Sequence, residues 1–339
     1  MILFRRLWFL SLLTGLALTA AAATKTARPA YSGAIMIDAN SSKILFEDGA
    51  DTVSPPASMT KLMTFAVLHD KLTDGSLKLD APVTVTAADS KIGGTQVWLK
   101  QGEVFSVEEL LYAMMIQSGN DAAHALACKV AGAPDAFVEL MNAKARALGM
   151  TRTTFRTPHG LPPSNRKTAE GDLTTPRDYA TLSRYLLRET DITKYTSVRE
   201  RKFGEGKRTP DRVVDMVNHN HLIGKVAGVD GLKTGFTNGA GYCLAATAER
   251  NGRRLIVVVM GSPDSKTRDF KVMEMIERGF AALPAAAPSV ATVKTAPVSA
   301  ASPAIVQTVK TDKAAPAQQS STPTEPLVIF RVTTPEKKP

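Results

Sequence analysis

Ser58 and Lys61 stand three residues apart in Pro55-Pro-Ala-Ser-Met-Thr-Lys61. A serine hydroxyl is a weak nucleophile, and an amine beside it is a base that can activate it. The two prolines disfavour helix before them, so one can begin near Ser58. Met59, Leu62, Met63 and Ala66 then form the buried stripe of that helix. Ser58 and Lys61 share one of its faces, with Cβ atoms about 5–6 Å apart. Ser58 would otherwise be a plain N-cap. A cap favours Glu or Gln three residues on, however, and a lysine there opposes the helix dipole by about 0.3–1 kcal/mol. The same dipole should lower the pKa of Lys61, which a lysine base requires. Alone the pair is a weak signal, because Ser164-Asn-Arg-Lys167 repeats its spacing in a polar stretch with no apolar stripe.

Two further clusters follow. Ser118-Gly119-Asn120 lies between two helical stretches, where it would serve as an ordinary turn. Lys233-Thr234-Gly235 comes just before an apolar hairpin, where it would be a strand with one exposed lysine. In this order, Ser-x-x-Lys, Ser-x-Asn and Lys-Thr-Gly make up the motif set of active-site serine enzymes that act on penicillin-like amides. The chain resembles the low-molecular-mass penicillin-binding proteins, the serine D-alanyl-D-alanine carboxypeptidase family. Gly33-Ala-Ile-Met-Ile-Asp38, Pro158-His-Gly-Leu161 and Asp230-Gly-Leu-Lys-Thr-Gly-Phe-Thr237 also look like that family's signature stretches. The likeness runs from about Tyr31 to Leu283.

The resemblance implies an acyl-enzyme mechanism with no cofactor and no catalytic metal. Ser58 would attack the carbonyl of the terminal D-Ala-D-Ala bond of a peptidoglycan stem peptide, with Lys61 as base. Ser118 and Asn120 would shuttle a proton and orient the substrate amide. Lys233, with Thr234 beside it, would bind the terminal carboxylate, and Arg268 would be a second carboxylate contact. Gly235 and Phe236 would continue the substrate-binding strand. Backbone N–H groups of Ser58 and Phe236 would form the oxyanion hole. β-Lactams would acylate the same serine as covalent inhibitors. Some relatives carry His where Phe236 stands; the backbone donor survives that change, and any role of the ring nitrogen does not.

The elements that must hold these residues are legible as patterns. Ala34–Asp38 and Lys43–Phe46 flank the turn residues 38–42. Gly241–Thr247 and Leu255–Val259 flank Asn251-Gly252, the strongest short hairpin signal. Ser106-Val-Glu-Glu109 is a capping box opening a helix. A closing helix is expected over 265–282, with Phe270, Met273, Ile276 and Phe280 as its apolar stripe. Strands at both ends and helices between them give an α+β, β-lactamase/penicillin-binding-protein-like fold. Its antiparallel sheet has about five strands from the two chain ends. It packs on a helical lobe, with the catalytic cleft between them.

Residues 1–23 read as a secretory signal peptide: Arg5 and Arg6, an apolar run, then Ala20–Ala23. The protein is therefore expected outside the cytoplasm, in the periplasm or cell envelope. Residues 24–283 form the catalytic domain. Residues 284–339 are rich in Ala, Pro and Thr, hold nine of the 20 prolines, and read as a disordered tail. Many family members instead end in a second β-domain and a membrane-lying helix, so the tail argues against membrane anchoring.

Composition excludes several classes. The chain has 339 residues, 44% of them hydrophobic and 22% charged, which excludes wholesale disorder and a polytopic membrane protein. The net charge of +10 suits anionic surroundings, and no nucleic-acid recognition motif accompanies it. The basic stretch 194–212 faces either the envelope or only solvent. His219 and His221 lack a third ligand at metal spacing and are assigned to a polar turn or strand end. His159 resembles a family loop residue rather than a base. Cys128 and Cys243 are too few for a disulfide scaffold, and whether they pair is open.

Three rival functions share part of this pattern. A class A β-lactamase would need a deacylating carboxylate. Glu170 falls in the right interval, but Thr174 stands where that family's Asn belongs. A D,D-endopeptidase cutting peptidoglycan crosslinks is closer. A non-catalytic peptidoglycan-binding module is the alternative of another class, and intact Ser58, Lys61 and Lys233 argue against it.

Overall fold

The hairpin at the start of the folded region forms as its pattern requires. Strand β1 (Gly33–Asp38) pairs antiparallel with β2 (Ile44–Asp48), and Asp38 Oδ1 accepts from the N–H groups of Asn40 and Ser41 in the turn. The computed structural model describes residues 29–282. The expected signal peptide and tail both lie outside the described residues.

A single 3-10 turn (Ala57–Thr60) leads into α1 (Lys61–Thr73). The expected stripe is buried: Met59, Leu62, Met63 and Ala66 have no exposed surface. Short strands β3 (Pro82–Thr84) and β4 (Val104–Ser106) pair, and α2 (Val107–Tyr112) follows directly. Ser106 caps α2 by accepting from the Glu109 N–H at 3.2 Å. A π-turn over Ala113–Gln117 ends this helix, and α3 (Asn120–Ala131), α4 (Pro134–Ala147), α5 (Pro176–Glu189) and the one-turn α6 (Thr193–Thr196) complete the helical lobe. Strands β5 (Glu200–Phe203) and β6 (Val214–Val217) form a two-stranded arm. Much of the basic charge of this region is paired there: Lys194 with Glu108, Lys207 with Glu109, and Arg208 and Arg212 with Glu103.

The chain then returns to the sheet as β7 (Val229–Thr237), β8 (Gly241–Arg250) and β9 (Arg253–Ser262), and closes with α7 (Ser265–Ala282). The five strands run in the order β2-β1-β9-β8-β7, antiparallel throughout. Asn251 and Gly252 both have positive φ (52° and 71°), which a two-residue turn matched to strand twist requires. Side chains alternate along each central strand. Met36, Leu255 and Val257 pack against α7, while Ile35, Ile256 and Val258 face the helical lobe.

One expectation is corrected here. Phe270 and Met273 are 64% and 36% exposed; Ile276 and Phe280 are buried as expected, and Val272 and Met275 take the place of the other two on the buried face. Gly279 sets this rotation. A Cβ there would stand 2.6 Å from Met36 Sδ and 2.7 Å from Leu255 Cδ1, so the helix meets the sheet along its glycine.

Candidate active site

Four elements converge on one cleft of about 320 Å³. The 3-10 turn before α1 supplies Ser58, the turn before α3 supplies Ser118, and β7 supplies Thr234, Gly235 and Phe236. The first turn of α7 supplies Arg268. Lys61, Asn120 and Lys233 are buried against this cleft, bonded to or beside its lining residues.

Lys61 has no exposed surface. Its Nζ lies 3.0 Å from Ser58 Oγ, 2.6 Å from Asn120 Oδ1 and 2.8 Å from the carbonyl oxygen of His159. The amide oxygen and the carbonyl carry no hydrogen, so Nζ must donate to both. A neutral amine then has its lone pair left for the Ser58 hydroxyl. Burial drives the Lys61 pKa well below 10.5, and the Lys233 cation lowers it further. Desolvation, which depends on the surrounding fold, is the leading cause.

Asn120 is itself fixed, its N–H donating to Thr95 O and its Nδ2 to Gly93 O, both at 2.8 Å. Ser118 is held at φ 64°, a left-handed conformation that costs a non-glycine residue about 1–3 kcal/mol and that is maintained by the π-turn before it. Gly235 lets β7 approach the Ser58 turn: a Cβ there would sit 2.4 Å from Pro56 O.

The far end of the cleft is cationic. Lys233 is 3% exposed and donates to Thr234 O at 3.3 Å. Burial and then the nearby Arg268 push its pKa down to about 7. Arg268, also 3% exposed, bonds Asp269 through Nε and Nη2. Two buried cations with few carboxylate partners are suited to receiving an anion.

Two lysines with lowered pKa values but opposite protonation requirements define a pH profile. The base is competent above the lowered pKa of Lys61, and the anion clamp is charged below about 7 for Lys233 in the free protein. The second-order rate of acylation by a carboxylate-bearing penicillin should therefore be bell-shaped, with a rising limb well below the usual lysine range. Stopped-flow measurements across pH 4–10 with the fold intact would show this. A rate that begins to rise only near 10 would deny Lys61 the part of base.

The structure adds residues that the sequence pattern did not single out. Asp172 is buried, and it accepts from Thr60 Oγ1, Thr157 Oγ1 and the N–H groups of Arg156 and Thr157. It thereby ties the His159 loop to the residue next to Lys61. His219 and His221 do sit in the bend after β6, and they also line the cleft. Burial, then Lys233, lowers the His219 pKa to about 4, so that ring is neutral. The His159 ring is likewise held neutral, its pKa lowered to about 3 by burial and then Lys61. Ser164 and Lys167 are exposed, and so is Glu170, which bonds Asn165. Cys128 and Cys243 are both free thiols.

Comparison with known proteins agrees with this arrangement. The peptidase S11 family model, D-alanyl-D-alanine carboxypeptidase, matches residues 19–264. The Bacillus subtilis D-alanyl-D-alanine carboxypeptidase DacF is 36% identical over 247 residues, covering 73% of this chain and 61% of that relative. The chain thus spans about three fifths of the length of that relative. A D-alanyl-D-alanine endopeptidase of Pseudomonas aeruginosa is 35% identical over 263 residues, covering 74% of this chain and 79% of its own. Among solved structures, penicillin-binding protein D2 of Listeria monocytogenes in its ampicillin-bound form superimposes with a TM-score of 0.64 at 30% identity, covering 74% of this chain and 97% of that one. With a family model matched over most of its length and its serine, lysine and cationic strand gathered in one cleft, the chain belongs to the D-alanyl-D-alanine carboxypeptidase family, peptidase S11.

Proposed function

We propose that the protein is a serine-type D-alanyl-D-alanine carboxypeptidase that trims peptidoglycan pentapeptides in cell-wall biosynthesis and remodelling. The observation that carries this reading is the hydrogen-bond geometry of Lys61, which leaves its lone pair for the Ser58 hydroxyl. Ser58 attacks the carbonyl of the penultimate D-Ala as Lys61 takes its proton. The N–H groups of Ser58 and Phe236 stabilise the oxyanion. Ser118 passes a proton to the leaving amine, Asn120 orients the substrate amide, and Lys233, Thr234 and Arg268 hold the terminal carboxylate. D-Ala departs, and water hydrolyses the ester at Ser58. β-Lactams present the same carbonyl and carboxylate and remain as the acyl-enzyme. The reading takes residues 24–283 as the catalytic domain of an exported protein, with 1–23 as its signal peptide and 284–339 as its tail.

Incubation with a stem peptide ending in D-Ala-D-Ala should yield free D-alanine and a product one residue shorter by mass. An intact pentapeptide after prolonged incubation would overturn the assignment. The match to the Pseudomonas endopeptidase over most of its length supports a second reading, cleavage of crosslinks. Digestion of intact crosslinked sacculi separates the two, since only an endopeptidase converts dimeric to monomeric muropeptides.

A further inference from the structure

Outside the cleft, Asp89, His124 and Cys128 bring one carboxylate oxygen, one imidazole nitrogen and one sulfur within 4.8 Å of one another. His124 and Cys128 are four residues apart on α3, one above the other on a single helical face. Asp89 comes from the separate single-turn helix Asp89–Lys91. Its Oδ2 accepts from the N–H and Oγ1 of Thr86, both at 2.7 Å, which directs Oδ1 at His124 Nδ1, 2.6 Å away. The sulfur lies 3.7 Å from the same ring nitrogen. Asp89 and His124 are buried, and Cys128 is partly exposed, which leaves a way in for an ion.

We propose that these three side chains bind a divalent zinc ion. Zn–N and Zn–S bonds of about 2.05 and 2.3 Å at a tetrahedral angle place N and S about 3.6 Å apart, close to the spacing present. The same geometry asks for about 3.4 Å between the oxygen and the nitrogen, so the Asp89–His124 hydrogen bond opens by under 1 Å as the ion replaces its proton. The thiol also gives up its proton. Carboxylate and thiolate then neutralise the ion's two charges, and water fills the fourth position through the open side of Cys128. A nitrogen, a sulfur and an oxygen ligand suit zinc rather than magnesium or calcium. The hydrogen bonds from Thr86 to Asp89 are of the kind that orient a ligating carboxylate. The ion would join the 89–91 turn to α3 one helical turn beyond Asn120. The segment after that turn supplies the Gly93 and Thr95 carbonyls that hold Asn120. Its role is to brace the lobe, and the reaction at Ser58 needs no part of it.

Untagged full-length protein, kept reduced with a phosphine and freed of metal, should be titrated with Co²⁺ as a spectroscopic stand-in. A thiolate-to-cobalt charge-transfer band and tetrahedral visible bands should saturate at one ion per chain. One equivalent of Zn²⁺ should abolish them and raise the melting temperature by several degrees. Cys128→Ser should remove the charge-transfer band and most of the thermal shift, while His221→Asn leaves both. His124→Asn should abolish binding. Should that variant not fold, Cys128→Ser, at a partly exposed position, decides the matter. Absence of the thiolate band in the wild-type protein, or its persistence in Cys128→Ser, would overturn the site.

Discussion

Ser58→Ala should abolish covalent labelling by a fluorescent penicillin, while Ser164→Ala should label like the parent. The two serines share the Ser-x-x-Lys spacing, and their surroundings differ. Ser58 lies 3.0 Å from a lysine with no exposed surface, whereas Ser164 and Lys167 are solvated. Only Ser58 has a buried, desolvated amine within hydrogen-bond reach of its hydroxyl, so only that pair is set to form an ester. Removing the nucleophile from such a catalytic unit costs about 10⁶ in turnover. Gel fluorescence and peptide mass mapping read the result directly. Label found on another residue of Ser58→Ala would dispose of the nucleophile assignment and of the mechanism built on it.

Capping the proposed substrate's terminal carboxylate as an amide should slow its cleavage about ten- to a hundredfold, since hydrogen bonds to charged groups contribute roughly 1.5–3 kcal/mol. Lys233 and Arg268 are each 3% exposed and stand at one end of the cleft; Arg268 is paired with Asp269, whereas Lys233 bonds a backbone carbonyl, and burial makes a positive charge without a matching anion costly. An arriving carboxylate relieves that cost, and Arg268 can hold it through paired bonds. Fixing this end also sets the scissile carbonyl against Ser58, so the loss falls on kcat as well as KM. Arg268→Ala should slow the free acid by a similar factor and change the amide little, because its partner is already gone. Equal hydrolysis of acid and amide by the parent protein would sink the carboxylate clamp and move the crosslink-cutting reading ahead.

The correction at α7 shows where periodicity stops being informative. Phe270, Met273, Ile276 and Phe280 form a valid helical stripe, yet only Ile276 and Phe280 of it are buried, with Val272 and Met275 beside them. Hydrophobic spacing allows both rotations. The choice rests on Gly279, whose missing side chain admits Met36 and Leu255 from strands far away in sequence. Lys61 shows the same limit. Its i, i+3 spacing from Ser58 is local, but the two groups that accept from it belong to Asn120 and His159, 59 and 98 residues away.

By itself the sequence determined the local elements and the chemistry they carry. Alternation over 255–259, the Asn251-Gly252 turn and the Ser106 N-cap each depend on residues within a few positions, and each formed, although the Glu109 carboxylate of the expected capping box bonds the Gly204 N–H and Lys207 instead. So did the helical turn that sets Ser58 beside Lys61, and the motif order that marks the family. Only the tertiary structure decided the electrostatics. The depressed pKa of Lys61 comes first from burial, the pairing of Asp172 with the His159 loop crosses more than ten residues, and His219 reaches the cleft through the β5–β6 arm. Desolvation and long-range contact depend on what surrounds a residue in three dimensions, and that surrounding is assembled from segments whose separation along the chain carries no local signal.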